Sequence, residues 1–264
     1  MTSPRCLSIA TSDSGGGAGI QADLKAFAAA GCHGMTAIVG VTAQNTTAIL
    51  ATHALPTWII TAQLEAVYDD IGVDAAKTGA LLSAEIILAV ADFLRSHPTP
   101  LVVDPVLSAT IGTTLLEPEA VEVLIGSLLP LATVVTPNLA EARVLAGGDG
   151  SPRALAERIV ARGAGAVVIT GGDGVGSDLL FDGTEHIEIP TTWIEGTATH
   201  GTGCTHSATL AAELARGTPL AEAARRAAAV TAGAIANGLV EIGKGAGPVA
   251  VAQPSGASQR VRTR

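Results

Sequence analysis

The residues best placed to do chemistry in this chain are Thr199-His200-Gly201-Thr202-Gly203-Cys204-Thr205, a glycine-punctuated turn running directly into the alanine-rich stretch 207–216. The first turn of a helix leaves four backbone N–H groups without intrahelical partners, and the aligned peptide dipoles put partial positive charge there, so such a turn attracts anions. Gly201 and Gly203 let the backbone approach a ligand closely. Cys204 falls in the first turn, where the same field favours thiolate over thiol and would make the sulfur a usable base or nucleophile. Gly201, Thr202, Gly203 and Cys204 are therefore read as a catalytic segment. The plainer alternative is a turn that only reverses the chain, with a free cysteine that is a small buried apolar residue.

A second glycine-rich stretch, SDSGGGAGIQAD at 12–23, fits the spacing of a dinucleotide fingerprint through Gly17, Gly19 and Ala22. That fold also wants an acidic residue about 20 positions on to hold a ribose. No Asp or Glu stands between Asp23 and Glu65, and no Walker-type motif is present, so both nucleotide folds are set aside. Asn138 followed by Glu141 is a capping box that needs no ligand. Its functional alternative is a carboxylate that holds hydrated Mg²⁺ together with Asp104, since Mg²⁺ keeps several waters and takes one or two carboxylates plus substrate phosphates. Gln44, an uncharged amide with a paired donor and acceptor, suits a heteroaromatic ring. Lys77 could pair with a nearby acid, and His200 could contact phosphate or merely fill its turn.

The elements that must position these residues alternate along the chain. Short apolar runs at 7–10, 35–41, 73–76, 101–103, 133–135 and 166–169 read as strands, and 18–30, 57–70, 83–95, 117–129, 203–216 and 219–237 as helices. Continuous apolar strands separated by helices imply a mostly parallel sheet covered on both faces. The runs 177–181 and 186–189, joined by Asp182-Gly183, read as a hairpin on the sheet's edge. Thr218-Pro219 reads as N-cap and first residue of the last helix. In such a fold ligands bind in the loops that follow the strands. Nearly every candidate falls in one of these, at 11–19, 42–46, 77–80, 104–112, 136–141, 170–174 and 199–204.

Composition narrows the class. The chain is 48% hydrophobic and only 2% aromatic, so Ala, Val, Leu and Ile fill its core. Its mean hydropathy of +0.44 comes from alanine-rich helices rather than a membrane span. A net charge of −9 argues against nucleic acid or an anionic membrane as the main partner. Cys6, Cys32 and Cys204 are too scattered for a disulfide framework or a zinc site. The N-terminal apolar run is too short for a signal peptide, so a cytoplasmic location is expected.

Six segments together carry a family resemblance: SDSGGGAGIQADLK at 12–25, TAQNT at 42–46, KTG at 77–79, DPV at 104–106, TPNLAEA at 136–142 and THGTGCT at 199–205. With them the chain resembles, from about 7 to 248, the hydroxymethylpyrimidine and phosphomethylpyrimidine kinases of thiamine biosynthesis, in the ribokinase superfamily. The resemblance implies a single α/β domain over 1–250, a ribokinase-like three-layer αβα sandwich with an antiparallel edge hairpin; the polar, basic tail at 251–264 is expected to be disordered. It implies ATP-dependent phosphorylation of an aminopyrimidine and then of its monophosphate. Asp23, Gln44, Val106, Ala80 and Thr11 would bind the aminopyrimidine, and Cys204 would be the base within the Gly201–Cys204 anion hole. Asn138, Thr170 and His200 would serve the nucleotide and its phosphates, and Asp104 and Glu141 the Mg²⁺. A homodimer is the family expectation.

The chain also departs from the family pattern. Thr170-Gly171-Gly172-Asp173 replaces KGGH, and the lysine usual in the loop after DPV is missing around Ser108-Ala109-Thr110. Thr11 stands for a glycine, and Ala80 for the methionine that packs on the pyrimidine. VITGG at 168–172 also occurs in vitamin B6 kinases, which makes pyridoxal the alternative substrate. A pyrimidine-binding protein without catalysis is the third reading.

Overall fold

The first strand, β1 (Arg5–Asp13), sends Leu7 and Ile9 into one hydrophobic core and Cys6 into another. This alternation is what a strand buried on both faces requires. The computed structural model describes residues 3–108, 115–171, 176–191, 194 and 198–251. After β1 come α1 (Gly19–Ala29), β2 (His33–Gln44), β3 (Ile49–Ala54), α2 (Thr57–Asp70), β4 (Ala75–Thr78), α3 (Ala84–Ser96) and β5 (Leu101–Val103). Next are α4 (Pro118–Val123), prolonged by π and 3-10 turns to Leu131, β6 (Val134–Val135), α5 (Leu139–Leu145), α6 (Pro152–Ala161) and β7 (Val167–Ile169). The hairpin β8 (Ser177–Phe181) and β9 (His186–Pro190) and the helices α7 (Thr202–Ala215) and α8 (Leu220–Ala236) complete the described chain.

The nine strands form one sheet in the order β3-β2-β1-β4-β5-β6-β7-β8-β9. Neighbours from β2 through β7 are parallel, while β3 and the β8–β9 hairpin run antiparallel at opposite edges. Helices α2 to α6 cover one face. On the other, α1, α7 and α8 pack through Ala26, Ala208, Ala211, Ala212, Ala223, Ala224 and Ala227, whose small side chains bring the helices close to the sheet and to each other. From β1 the chain passes to β2 on one side and later to β4 on the other, so the order reverses between β1 and β4. At such a reversal ligands enter, and α7 packs there against β1, β4 and β5.

Several expectations shift by a few residues. The strand read at 73–76 lies at Ala75–Thr78, which puts Lys77 inside a fully buried strand rather than after it. β3 has no counterpart in the sequence reading, because its residues are almost all exposed and show no alternation. The last helix begins at Leu220 with Pro219 as its N-cap, and the Thr218 hydroxyl donates to Glu213 Oε2 at 2.8 Å instead of capping the helix. The expectations for 109–114, for 172–175 and for the tail 252–264 lie outside the described residues.

Candidate active site

Every predicted site residue except Asp23 lines one cavity of about 660 Å³ along the C-terminal ends of the strands. That volume lies within the ordinary range for small-molecule sites, about 300–1,000 Å³. Thr11, Gln44, Ala80 and Val106 share it with Asp104, Asn138, Glu141, Thr170 and the turn His200 to Cys204. The β1–β2 pairing slips between Ala10 and Thr11, a bulge of the kind that re-aims a side chain beside a site.

The end near β1 and β2 is organised by Asp13. Its Oδ1 accepts from Gly15 N–H at 2.7 Å, and its Oδ2 from Gly17 and Ala18 N–H at 3.0 and 2.9 Å. His200 Nε2 lies 3.0 Å from the same Oδ2 and 3.4 Å from Gln44 Nε2. Burial works to raise the Asp13 carboxyl, but His200 and the backbone N–H groups of Ala18 and Gly15 outweigh it and hold the acid below the usual range. A lowered folded-state value stabilises the fold above about pH 4 and ceases to do so as pH falls through it. The His200 ring thus sits with Gln44 and Asp13 at the β1–β2 end, and β7, which ends at Thr170, lies five places along the sheet from β2.

The turn holding Cys204 is locked onto this loop. Gly201, the N-cap of α7, has φ +85°, and a Cβ there would strike the Gly17 carbonyl oxygen; a Cβ on Gly17 would strike the His200 ring. Gly201→Ala is therefore expected to lower the melting temperature by several degrees. Thermal unfolding checks this, and an unchanged midpoint would show that the two segments are not locked together.

Asp23 alone of the predicted site residues does not line the cavity: it is fully buried behind the wall, accepting from Ser8 Oγ at 2.5 Å and from Lys77 Nζ at 3.0 and 3.1 Å. Lys77 Nζ is also 3.6 Å from Asp104 Oδ2, which accepts from Ser207 Oγ at 2.8 Å. Burial alone would push the Lys77 ammonium down, but the carboxylates of Asp23 and Asp104 outweigh it and keep it charged.

The expected thiolate at Cys204 is also corrected. Burial of the sulfur, with Asp23 and Asp104 nearby, pushes the thiol up to about 12, despite the opposing pull of Lys77 and the Gly19 N–H. That direction favours the thiol over the thiolate.

Glu141 meets its plainer reading in full. Asn138 Oδ1 accepts from Glu141 N–H at 2.9 Å and Glu141 Oε2 from Asn138 N–H at 3.0 Å, a complete capping box, while Oε1 accepts from Leu107 N–H at 3.3 Å. Yet the carboxyl also lines the cavity, and burial, with Asp104 close by, pushes it up to about 7. At the β7–β8 end Asp178 Oδ1 accepts from Gly171 N–H at 2.8 Å.

A profile of the phosphomethylpyrimidine kinase family matches residues 13–250 of this chain. The chain belongs to the phosphomethylpyrimidine kinase family. A hydroxymethylpyrimidine/phosphomethylpyrimidine kinase of Rhizobium meliloti is 50% identical over 252 residues, covering 92% of this chain and 95% of the relative. Among solved structures, an ADP complex of Bacillus subtilis pyridoxal kinase superimposes with a TM-score of 0.87 at 38% identity, covering 95% of this chain and 98% of that one. A phosphomethylpyrimidine kinase of Clostridium difficile gives 0.78 at 39% identity, covering 88% and 99%. The ribokinase-like fold expected from the motifs is the one found, and as a member of a kinase family the chain is a phosphotransferase.

Sequence reasoning did not assign Asp13, Lys77, Asp178 or His206 to this kinase's site. A short acidic side chain just before a glycine run is itself a cue for an Asx-type turn, which could have flagged Asp13. Asp178 and His206 carry no such local cue.

Proposed function

We propose that this kinase transfers phosphate from ATP to 4-amino-5-hydroxymethyl-2-methylpyrimidine and then to its monophosphate. The observation that carries the reading is that Gln44 and the Gly201–Cys204 turn open onto one cavity, pairing an amide suited to an aminopyrimidine with an anion cradle. In the first step the Cys204 sulfur, as thiolate, takes the proton of the hydroxymethyl O–H. The oxygen bonds to the γ-phosphorus as the bond to ADP breaks, and the Gly201–Cys204 N–H groups face the charge that builds on the phosphoryl oxygens. In the second step the acceptor is already a phosphate oxygen, and the base matters less.

Asp104 and Glu141 fit a hydrated Mg²⁺. They are two buried carboxylates close enough for one to raise the other, and no group of three or more metal-binding side chains exists among the described residues. Bound there, the ion would neutralise phosphate charge. We also place the reaction in a single domain over 1–250, in the cytoplasm, with a homodimer as the working form. The exposed edge strand β3, with Leu50 73% exposed and Trp58 of α2 70% exposed, is the surface that favours pairing with a second copy.

The likeness to a pyridoxal kinase favours vitamin B6 as the second reading. Coupled ATP turnover with hydroxymethylpyrimidine, its monophosphate and pyridoxal in parallel separates the cases. The two pyrimidines are expected to give the higher kcat/KM. Pyridoxal turned over as fast or faster would move the assignment, and binding without turnover of any of the three would leave a binding protein.

A further inference from the structure

Gln44 lies where the sheet around it is interrupted on both sides. The β1–β2 pairing ends with Asp13 opposite Thr42, and Gly16 N–H bonds back to the Asp13 carbonyl at 3.0 Å, turning the chain away. On the other side the β2–β3 register shifts between Ala43 and Gln44, a bulge that disrupts the local ladder. The Ser14 hydroxyl bridges the first gap. Its Oγ accepts from Gln44 N–H at 2.8 Å and donates to the Gln44 carbonyl oxygen at 2.7 Å. A hydroxyl has one hydrogen to give and two lone pairs to accept with, so both bonds are made together. One side chain thus continues the β1–β2 ladder after the main chain has left it.

What Ser14 holds is the base of a side chain in the cavity. Gln44 lines that cavity, its Oε1 3.0 Å from Thr42 Oγ1 and its Nε2 3.4 Å from His200 Nε2. Those two contacts are to the amide alone. Among the described residues Ser14 supplies the one side chain hydrogen-bonded to the Gln44 main chain. A shift of that main chain carries the amide with it, and a hydrogen bond to a ligand weakens steeply once its distance and angle leave their narrow range. Ser14 is itself exposed, so its removal empties no core.

We propose that Ser14 is a positioning residue for pyrimidine recognition: by pinning the Gln44 main chain where β1 turns away and the β2–β3 ladder is disrupted, it sets where the Gln44 amide meets the ring. This rests on the reading of Gln44 as the group that binds the aminopyrimidine.

The test is calorimetric titration of the full chain with hydroxymethylpyrimidine, and separately with ADP and excess Mg²⁺, in wild type, Ser14→Ala, Ser14→Thr, Gln44→Ala and the Ser14→Ala/Gln44→Ala double variant. Ser14→Ala is expected to weaken hydroxymethylpyrimidine binding about 5- to 30-fold, the range of one or two neutral hydrogen bonds. Its ADP affinity should stay within twofold of wild type and its melting temperature within about 2 °C, as for a surface substitution. Ser14→Thr, which keeps the hydroxyl, should bind the pyrimidine as wild type does. In the Gln44→Ala background the loss of Ser14 should cost nothing further, because a residue that acts only through the amide is silent once the amide is gone. An equal loss in both backgrounds, an equal loss for ADP, or pyrimidine affinity within twofold of wild type in Ser14→Ala overturns the role of Ser14 and leaves the kinase reading standing. Gln44→Ala that binds the pyrimidine as tightly as wild type overturns the reading of Gln44 and the proposal with it.

Discussion

Cys204→Ser will lower kcat for phosphorylation of hydroxymethylpyrimidine by about 10²- to 10⁴-fold, the range of a lost general base, while KM for the pyrimidine moves less than threefold. The second step, on the monophosphate, will lose far less. The pH profile sharpens the point. Because kcat/KM reports the free enzyme and burial has pushed the Cys204 thiol up to about 12, the first-step kcat/KM should climb steadily between pH 8 and 10. In that window Glu141, pushed up to about 7, is already ionised and contributes no slope. Cys204→Ala should flatten the climb. If both steps run unchanged in the serine variant, the thiol is a packing residue and another group receives the proton.

Lys77→Met should destabilise the fold by about 3–5 kcal/mol, because removing one partner of a buried ion pair leaves uncompensated charge. Among the described residues, fully buried Asp23 would keep only Ser8 as a hydrogen-bond partner, and Asp104 only Ser207. Urea unfolding of Lys77→Met, Asp23→Leu and the double variant separates pair from packing. The double variant should recover much of the stability lost in Lys77→Met, since replacing both charges by apolar groups is often close to neutral. A cost below about 1 kcal/mol for Lys77→Met alone would mean that the pair holds geometry but not stability.

Much of this site can be read from the chain because its residues sit in loops after apolar strands, and parallel topology gathers those loops at one edge of the sheet. Thr11, Gln44, Asp104, Glu141 and Cys204 arrive in one cavity for that reason. What escapes is long-range or unpatterned. Asp13 acts through His200, 187 positions away in sequence, and His206 meets Asp178 only once α7 lies across the sheet. Lys77 reads as a residue after a strand because a lysine inside four buried strand residues defies composition; Asp23 on α1 and Asp104 after β5 make it tolerable there. β3 escapes because an exposed edge strand shows no apolar period. The field at the start of α7 suggested a thiolate, but burial beside two acids dominates the sulfur, and no count of residues along a helix contains that information.

The clamp at Asp13 bears on how tightly a ligand can be held. One carboxylate gathers the N–H groups of Gly15, Gly17 and Ala18 and faces His200 as well, so this loop is held by the protein's own hydrogen bonds. Ordering a loop or a mobile side chain on binding subtracts from affinity, by about 0.5–1.5 kcal/mol for each immobilised side chain. Here that entropy is lost during folding, before any ligand arrives. Contacts made to the pyrimidine can then appear almost undiminished in its dissociation constant, which is how a small, weakly charged ring with few handles can be kept long enough to react.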